Sequence, residues 1–285
     1  MKRPAGVARF GALLVIAIVV GVGLSQLILT IGDWHLRDAG AYWEAAMRLR
    51  EGQPLYPALS DSEASEVYRY APWFALAWVP LTYLPREIVN VLWSLILLGG
   101  SAAALVPLLR LRAWLAVAFF LPILVGISAI GNVQPLVVAA LVLGVERRSG
   151  PLWVAAAASL KAVPILFVVT YLGRRQWWRA LWTGVLTAAL VAPMLLYDLS
   201  SYPIGAGAAG LLTGAPVLYA VAVAAGILVS LRLATGRYAW LASATTAAVA
   251  LPRFFVYDVT FLLAAIPLRG RAAVAERDPP VNAQS

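Results

Sequence analysis

Two ionisable side chains stand where a largely apolar chain has little reason to place them. Asp38 lies in GDWHLRDAGAYWEAAMRLREGQPLY, inside a polar interruption over residues 32–70 that carries seven of the 13 acidic residues. Lys161 lies in AAAASLKAVPILF and is one of two lysines against twenty arginines. A carboxylate at the mouth of a cavity can serve as general base on a hydroxyl. A compact ammonium suits a point contact to a phosphate, and a charge inside an apolar segment is by default the mark of a functional site. Each has a plainer reading. Asp38 can simply be the N-cap of the helix that follows it, and Lys161 can snorkel to the interface.

Other polar groups join these two. Arg253 and Asp258 sit in LPRFFVYDVTFLL. Arg253 suits a second phosphate contact and Asp258 a partner for a base across the bundle, unless the two are an intramembrane ion pair or interfacial charges. Asn132 and Gln134, in the turn GNVQP, can bond a ligand or satisfy the turn's own backbone. Tyr42 and Tyr70 are candidate substrate contacts and equally aromatic-belt residues, and Asp33 is the carboxylate nearest Asp38. The single histidine, His35, and the absence of cysteine argue against a histidine metal site, a Ser-His-Asp triad and any thiolate chemistry. No metal or other cofactor is expected.

The elements that must position these groups are membrane helices. The chain is 285 residues long, 62% hydrophobic and 12% charged, too apolar for a soluble domain. Its long apolar runs predict an all-α polytopic membrane protein of about ten helices. Residues 10–31 read as a retained first helix, ~33 Å long at ~1.5 Å per residue. A short segment at 71–84, too brief to span, follows the large loop. Helices are expected at 87–109, 113–129, then from the 131–135 turn to 144, at 177–197, up to 233, within 238–251 and at 254–268. Residues 151–172 have Arg clusters at both ends, so a single crossing would put one cluster on the wrong side. Two short helices meeting at Lys161 avoid this, and irregular backbone at that depth must line a cavity. With the N-terminus inside, one side receives 15 of the 22 basic residues, which makes loop 32–70 extracytoplasmic and both termini cytoplasmic. Residues 1–268 are expected to form one integral-membrane domain, with 269–285 a disordered cytoplasmic tail. The net charge of +9 reflects basic loops rather than a nucleic-acid partner.

Within the loop, Ala39, Tyr42, Trp43, Ala46 and Met47 form an apolar stripe on a helix starting at Asp38. That helix is expected to lie on the membrane surface, with Tyr42 and Trp43 as anchors, Gly52 as its C′ residue and Pro54 blocking continuation.

The order of these features resembles glycosyltransferase family 87, bacterial membrane enzymes of the GT-C type that include polyprenol-phosphate-mannose-dependent mannosyltransferases. The residues that carry the likeness are DAGAYWEAAMRLREGQPLY (38–56), YAPWFALAWVPLTYLP (70–85), GNVQPLVVAALVLG (131–144), SLKAVPILFVVTYLGRRQWWRAL (159–181) and PRFFVYD (252–258). The resemblance implies a GT-C-like bundle with a large first extracytoplasmic loop and Asp38 as catalytic base. It further implies Lys161, and with it Arg253, on the phosphate of a polyprenyl-phosphate sugar. The donor sugar would be a hexose, mannose by family precedent, and the product an inverted linkage to a glycan or glycolipid acceptor at the bacterial cytoplasmic membrane. The chain departs from the family in being short after 197 and in reading Tyr70-Ala71-Pro72 where two prolines are usual. A lipid or sugar transporter or flippase, or a non-catalytic scaffold, are the alternatives. A transporter should show inverted repeats, and none is visible.

Overall fold

The computed structural model describes residues 34–57, 67–199 and 211–266, with scattered positions between 17 and 28. Among these residues every regular element is helical. That follows from composition, because an apolar run without water must satisfy its own backbone, and a helix does so within one segment.

A loop helix, α1 (Arg37–Arg50), precedes the short α2 (Pro72–Trp78), which continues as the 3₁₀ turn Val79–Tyr83. Next come α3 (Arg86–Arg110), α4 (Trp114–Ala129), α5 (Gln134–Gly144), α6 (Gly150–Leu160) and α7 (Val168–Gly173). The chain continues with α8 (Trp177–Val191), α9 (Leu211–Gly214), α10 (Pro216–Leu233) and α11 (Ala239–Val249), and closes with a 3₁₀ helix at Val256–Ala265. Among the described residues three helices are long and apolar enough to cross a membrane: Arg86–Arg110, Trp177–Leu196 and Pro216–Leu233, with mean hydropathies of 2.0, 1.5 and 2.0. At 25 residues α3 reaches ~37 Å. It begins after Pro85 with Glu87 in its first turn and ends with Arg110 in its last, charges that suit the helix dipole at either end. The remaining apolar helices have 10–17 residues.

Residues 151–172 form a hairpin. α6 stops at Leu160, Lys161 is extended (φ −139°, ψ 119°), and the 3₁₀ stretch Val163–Phe167 leads back through α7. Polar bonds close its base. The Tyr171 hydroxyl donates to the Val145 carbonyl at 2.7 Å, Arg179 donates to the carbonyls of Val145 (2.8 Å) and Arg147 (2.6 Å), and Arg174 pairs with Glu146 at 2.9 Å. Arg174 also donates to the Ala234 carbonyl at 2.7 Å, and the Trp240 indole donates to Glu146. The base of the hairpin is thereby tied to the turn between α10 and α11. Lys161 occupies the opposite end.

Hydroxyl pairs join the helices where water is absent. Ser101 meets Ser128 (3.1 Å), Thr170 meets Ser243 (2.7 Å) and Ser230 meets Thr246 (3.0 Å).

Three expectations need correction. Asp38 is not the N-cap of α1. That position belongs to Leu36, held left-handed (φ 49°) with no side-chain cap, because the start of the helix docks on backbone carbonyls instead. Tyr42 is no interfacial anchor. The buried face of α1 is Ala39, Ala41, Tyr42, Ala45 and Ala46, so the tyrosine points into protein rather than along the membrane surface. The final segment is a 3₁₀ helix (Val256–Ala265) rather than an α-helix from 254, and its start is set by Asp258 capping the Phe255 amide. The expected first helix falls largely outside the described residues, as do Asp33 and the tail. Gly52 (φ 69°) does end α1. The Gln53 amide reaches the Arg48 carbonyl at 2.8 Å and the Gly52 amide the Leu49 carbonyl at 3.3 Å, the bonds of a Schellman motif.

Candidate active site

The site begins with how α1 is seated. The Leu36 amide donates to the Ala129 carbonyl at 2.9 Å and the Asp38 amide to the Ile130 carbonyl at 2.8 Å. Orphan donors of α1 are thus satisfied by the end of α4. The chain then turns through Gly131, whose φ of +83° suits glycine and whose Cβ, if present, would lie 2.9 Å from the Ala39 amide nitrogen. The Gly131 carbonyl accepts from the Trp93 indole at 2.9 Å. The helix bearing Asp38 and the turn bearing Asn132 therefore touch backbone to backbone.

Across that contact Asn132 Nδ2 donates to Asp38 Oδ2 at 2.6 Å, while Asn132 Oδ1 accepts from the Gln134 amide at 2.9 Å. Gln134 Nε2 donates to Thr260 Oγ1 at 3.1 Å, which ties the turn to the closing 3₁₀ helix. Gln134 is completely buried and braces this junction through its Nε2, while its Oε1 has no hydrogen-bond partner. Burial pushes the Asp38 carboxyl above its ordinary pKa. The Asn132 hydrogen bond opposes that shift, as do the positive charges of Lys161, Arg37 and Arg69.

Lys161 faces the same place from the tip of its hairpin. Its Nζ lies 3.7 Å from Asp258 Oδ1 and 4.6 Å from the centre of the Tyr257 ring. Asp258 is held in turn, since its Oδ2 accepts the Phe255 amide at 2.8 Å, while Oδ1 has no hydrogen-bond partner. At 3.7 Å the ion pair is longer than a direct charged hydrogen bond. The Lys161 side chain is 16% exposed and that of Asp258 2%, so the lysine is the member of the pair that a ligand can reach. The Phe255 and Tyr257 rings stack at 5.1 Å, 11° apart, with the Arg253 guanidinium 4.6 Å from the Phe255 centroid. Arg253 is exposed and is joined to Lys161 through this aromatic pair.

A third wall is aromatic. Tyr42, fully buried, donates to the Tyr70 hydroxyl at 3.1 Å and lies 5.0–5.9 Å from the rings of Tyr70, Phe74, Trp78 and Trp93. Edge-on aromatic contacts of this kind favour a fixed arrangement. Tyr42 therefore backs the wall, and Tyr70, half-buried and also accepting the Tyr56 hydroxyl at its carbonyl (2.8 Å), is the tyrosine on the site side. Arg37, Trp93 and Tyr257 were not singled out from the sequence. Arg37 and Tyr257 are direct chain neighbours of Asp38 and Asp258, the one signal that could have drawn attention to them.

Asp38, Asn132, Lys161 and Asp258 are brought together, then, from a loop helix, a turn, a hairpin tip and a closing 3₁₀ helix. Residues 68–204 match the family model of glycosyltransferase family 87. The family 87 span holds Tyr70, Asn132, Gln134 and the whole Lys161 hairpin, and it agrees with the resemblance seen in the motifs. Asp38, Arg253 and Asp258 lie outside it and enter the site by geometry alone. The match to family 87 indicates a glycosyltransferase, and the apolar helices indicate a membrane protein. No curated protein and no solved structure matches the chain.

Proposed function

We propose that this chain is an inverting, membrane-embedded hexosyltransferase that takes its sugar from a polyprenyl-phosphate donor, mannose being the expected sugar by family resemblance. The observation that supports this most is a held carboxylate, Asp38, facing the accessible lysine of a buried ion pair at the tip of a hairpin. An acceptor hydroxyl oxygen attacks the anomeric carbon and forms the new C–O bond as the bond from that carbon to the phosphate oxygen breaks. The proton of the hydroxyl passes to Asp38, and the electron pair of the broken bond remains on the departing lipid phosphate. Lys161 meets the charge developing there, which is where a fixed cation is most effective, and exposed Arg253 supplies a second contact. The acceptor, a glycan or glycolipid, enters from the extracytoplasmic side of the bacterial cytoplasmic membrane, past Tyr70, with both termini on the cytoplasmic side. The fold is of the GT-C type.

The test is transfer of radiolabelled mannose from a polyprenyl-phosphate donor by the purified full-length chain. Asp38→Ala should lower the rate about 10²–10⁴-fold while the protein still inserts and elutes as the wild type. Full transfer by Asp38→Ala would sink the mechanism.

A further inference from the structure

The turn residue Asn132 is held in a way that leaves its amide one orientation. Its side-chain oxygen and nitrogen would be interchangeable in isolation, but Oδ1 receives the Gln134 amide proton at 2.9 Å and must be the acceptor. Nδ2 is thereby turned to Asp38 Oδ2 at 2.6 Å, where it can only donate. The rest of the turn fixes that amide in space. The Asn132 backbone amide donates to the Ile127 carbonyl at 3.2 Å, the Trp93 indole donates to the Gly131 carbonyl at 2.9 Å, and the Gln134 side chain donates to Thr260. Asn132 is 6% exposed, with both ends of its amide engaged by protein, so it is poorly placed to greet a substrate.

We propose that Asn132 is a positioning residue for the Asp38 carboxylate, binding Oδ2 as a fixed donor so that the carboxylate is kept ionised and Oδ1 is presented to the incoming hydroxyl. A donor favours the charged form of the acid it binds, and a protonated Oδ2 would meet the Asn132 amide with hydrogen against hydrogen. The other groups that act on Asp38 are Arg37 and Tyr42 on its own helix, Arg69 on the return segment, Lys161 on the hairpin and Tyr257 on the closing helix. Asn132 binds the carboxylate by a direct hydrogen bond whose direction is forced by a backbone amide.

This inference rests on Asp38 being the base, and the test separates the two ideas. The Asp38 carboxylate is titrated by pH-difference infrared spectroscopy on the full chain in nanodiscs, its band assigned by its loss in Asp38→Asn. In Asn132→Leu, which keeps the branched shape and removes the donor, the Asp38 midpoint should rise by about one pH unit or more. The acid limb of the transfer rate should rise with it, and KM for the donor should stay within about twofold. In Asn132→Asp, which keeps an acceptor for the Gln134 amide, two carboxyls share one proton and the midpoint should rise further. This variant carries the test should Asn132→Leu fail to fold. An unmoved midpoint in the folded variant overturns the proposal even if activity falls, and so does a large rise in KM with kcat unchanged. If Asp38→Asn retains transfer, the base assignment fails, while the infrared midpoint still decides what Asn132 does to the carboxyl.

Discussion

At the scale of single residues, charge in an apolar chain is its own signal. Lys161 could be singled out because the apolar run around it makes a charge exceptional. Asp38, one of seven acids in a polar loop, is marked instead by its place at the start of a helix and by the family resemblance. The geometry gives each a partner. Lys161→Ala should lower transfer about 10²–10³-fold, as loss of one fixed charge-stabilising group does, with much of the loss in kcat. Lys161→Arg should restore little, since a planar guanidinium does not reproduce a compact ammonium lying 4.6 Å from the Tyr257 ring centre. Radiolabel transfer at saturating donor checks both. The pH response follows from the same surroundings. In the proposed mechanism the base works ionised, and burial raises the Asp38 pKa, so transfer should be full at high pH and fall as pH drops through a value above that of an ordinary carboxylate. What the sequence could not give was the partner of each charge. Asn132 lies 94 residues from Asp38, and a turn amide looks the same whether it bonds its own backbone or a distant carboxylate. Tyr42 shows the reverse error: apolar spacing fits a membrane-facing anchor and a buried core residue equally well.

At the scale of elements, the decisive contact is Gly131 against α1. A side chain at 131 would press on the Ala39 amide and would also be required to hold φ at +83°. Gly131→Val should therefore cost about 2–4 kcal/mol and lift α1 from its seat. Thermal unfolding in detergent should show the loss of stability, and Asp38 should lose activity beyond what the remaining folded fraction explains. Helix bounds at Arg86–Arg110, Trp114–Ala129 and Gln134–Gly144 fall within a few residues of those expected, because proline, glycine and arginine mark the ends of apolar runs. The break at Lys161 was legible for a different reason, since two Arg clusters needed the same side. The 3₁₀ winding of Val256–Ala265 was not, since hydropathy is blind to whether a short apolar segment closes bonds at three residues or four.

At the scale of the whole molecule, Glu146 is a single acid binding three segments: the turn after α5, the end of the hairpin through Arg174, and α11 through Trp240. Its pair with Arg174 is partly solvated, at 20% and 21% exposure, so Glu146→Ala should cost about 1–2 kcal/mol rather than the full penalty of a buried pair. A lower thermal midpoint with an unchanged Asp38-dependent pH profile is the expected result. The orientation has a direct test because the chain has no cysteine. A membrane-impermeant maleimide should label Gln53→Cys from the outside of spheroplasts and Arg148→Cys only after permeabilisation. The reverse pattern would overturn the proposed sidedness.

The hairpin leaves one consequence of a different kind. Lys161 is held at the end of an 11-residue helix whose foot is clamped by Glu146, Arg174 and Arg179, so helix length works as a ruler. Adding one alanine within 150–160 would raise the tip by ~1.5 Å and swing it by ~100°, carrying the ammonium off the Tyr257 face while leaving every side chain of the clamp intact. Such an insertion should abolish transfer in a protein that still folds and inserts, and restoring the count by deleting a neighbouring alanine should return it. The reach from the clamped foot to the lysine at the tip is thus written as a number of residues, and a change in that reach would have to change that number or move the foot.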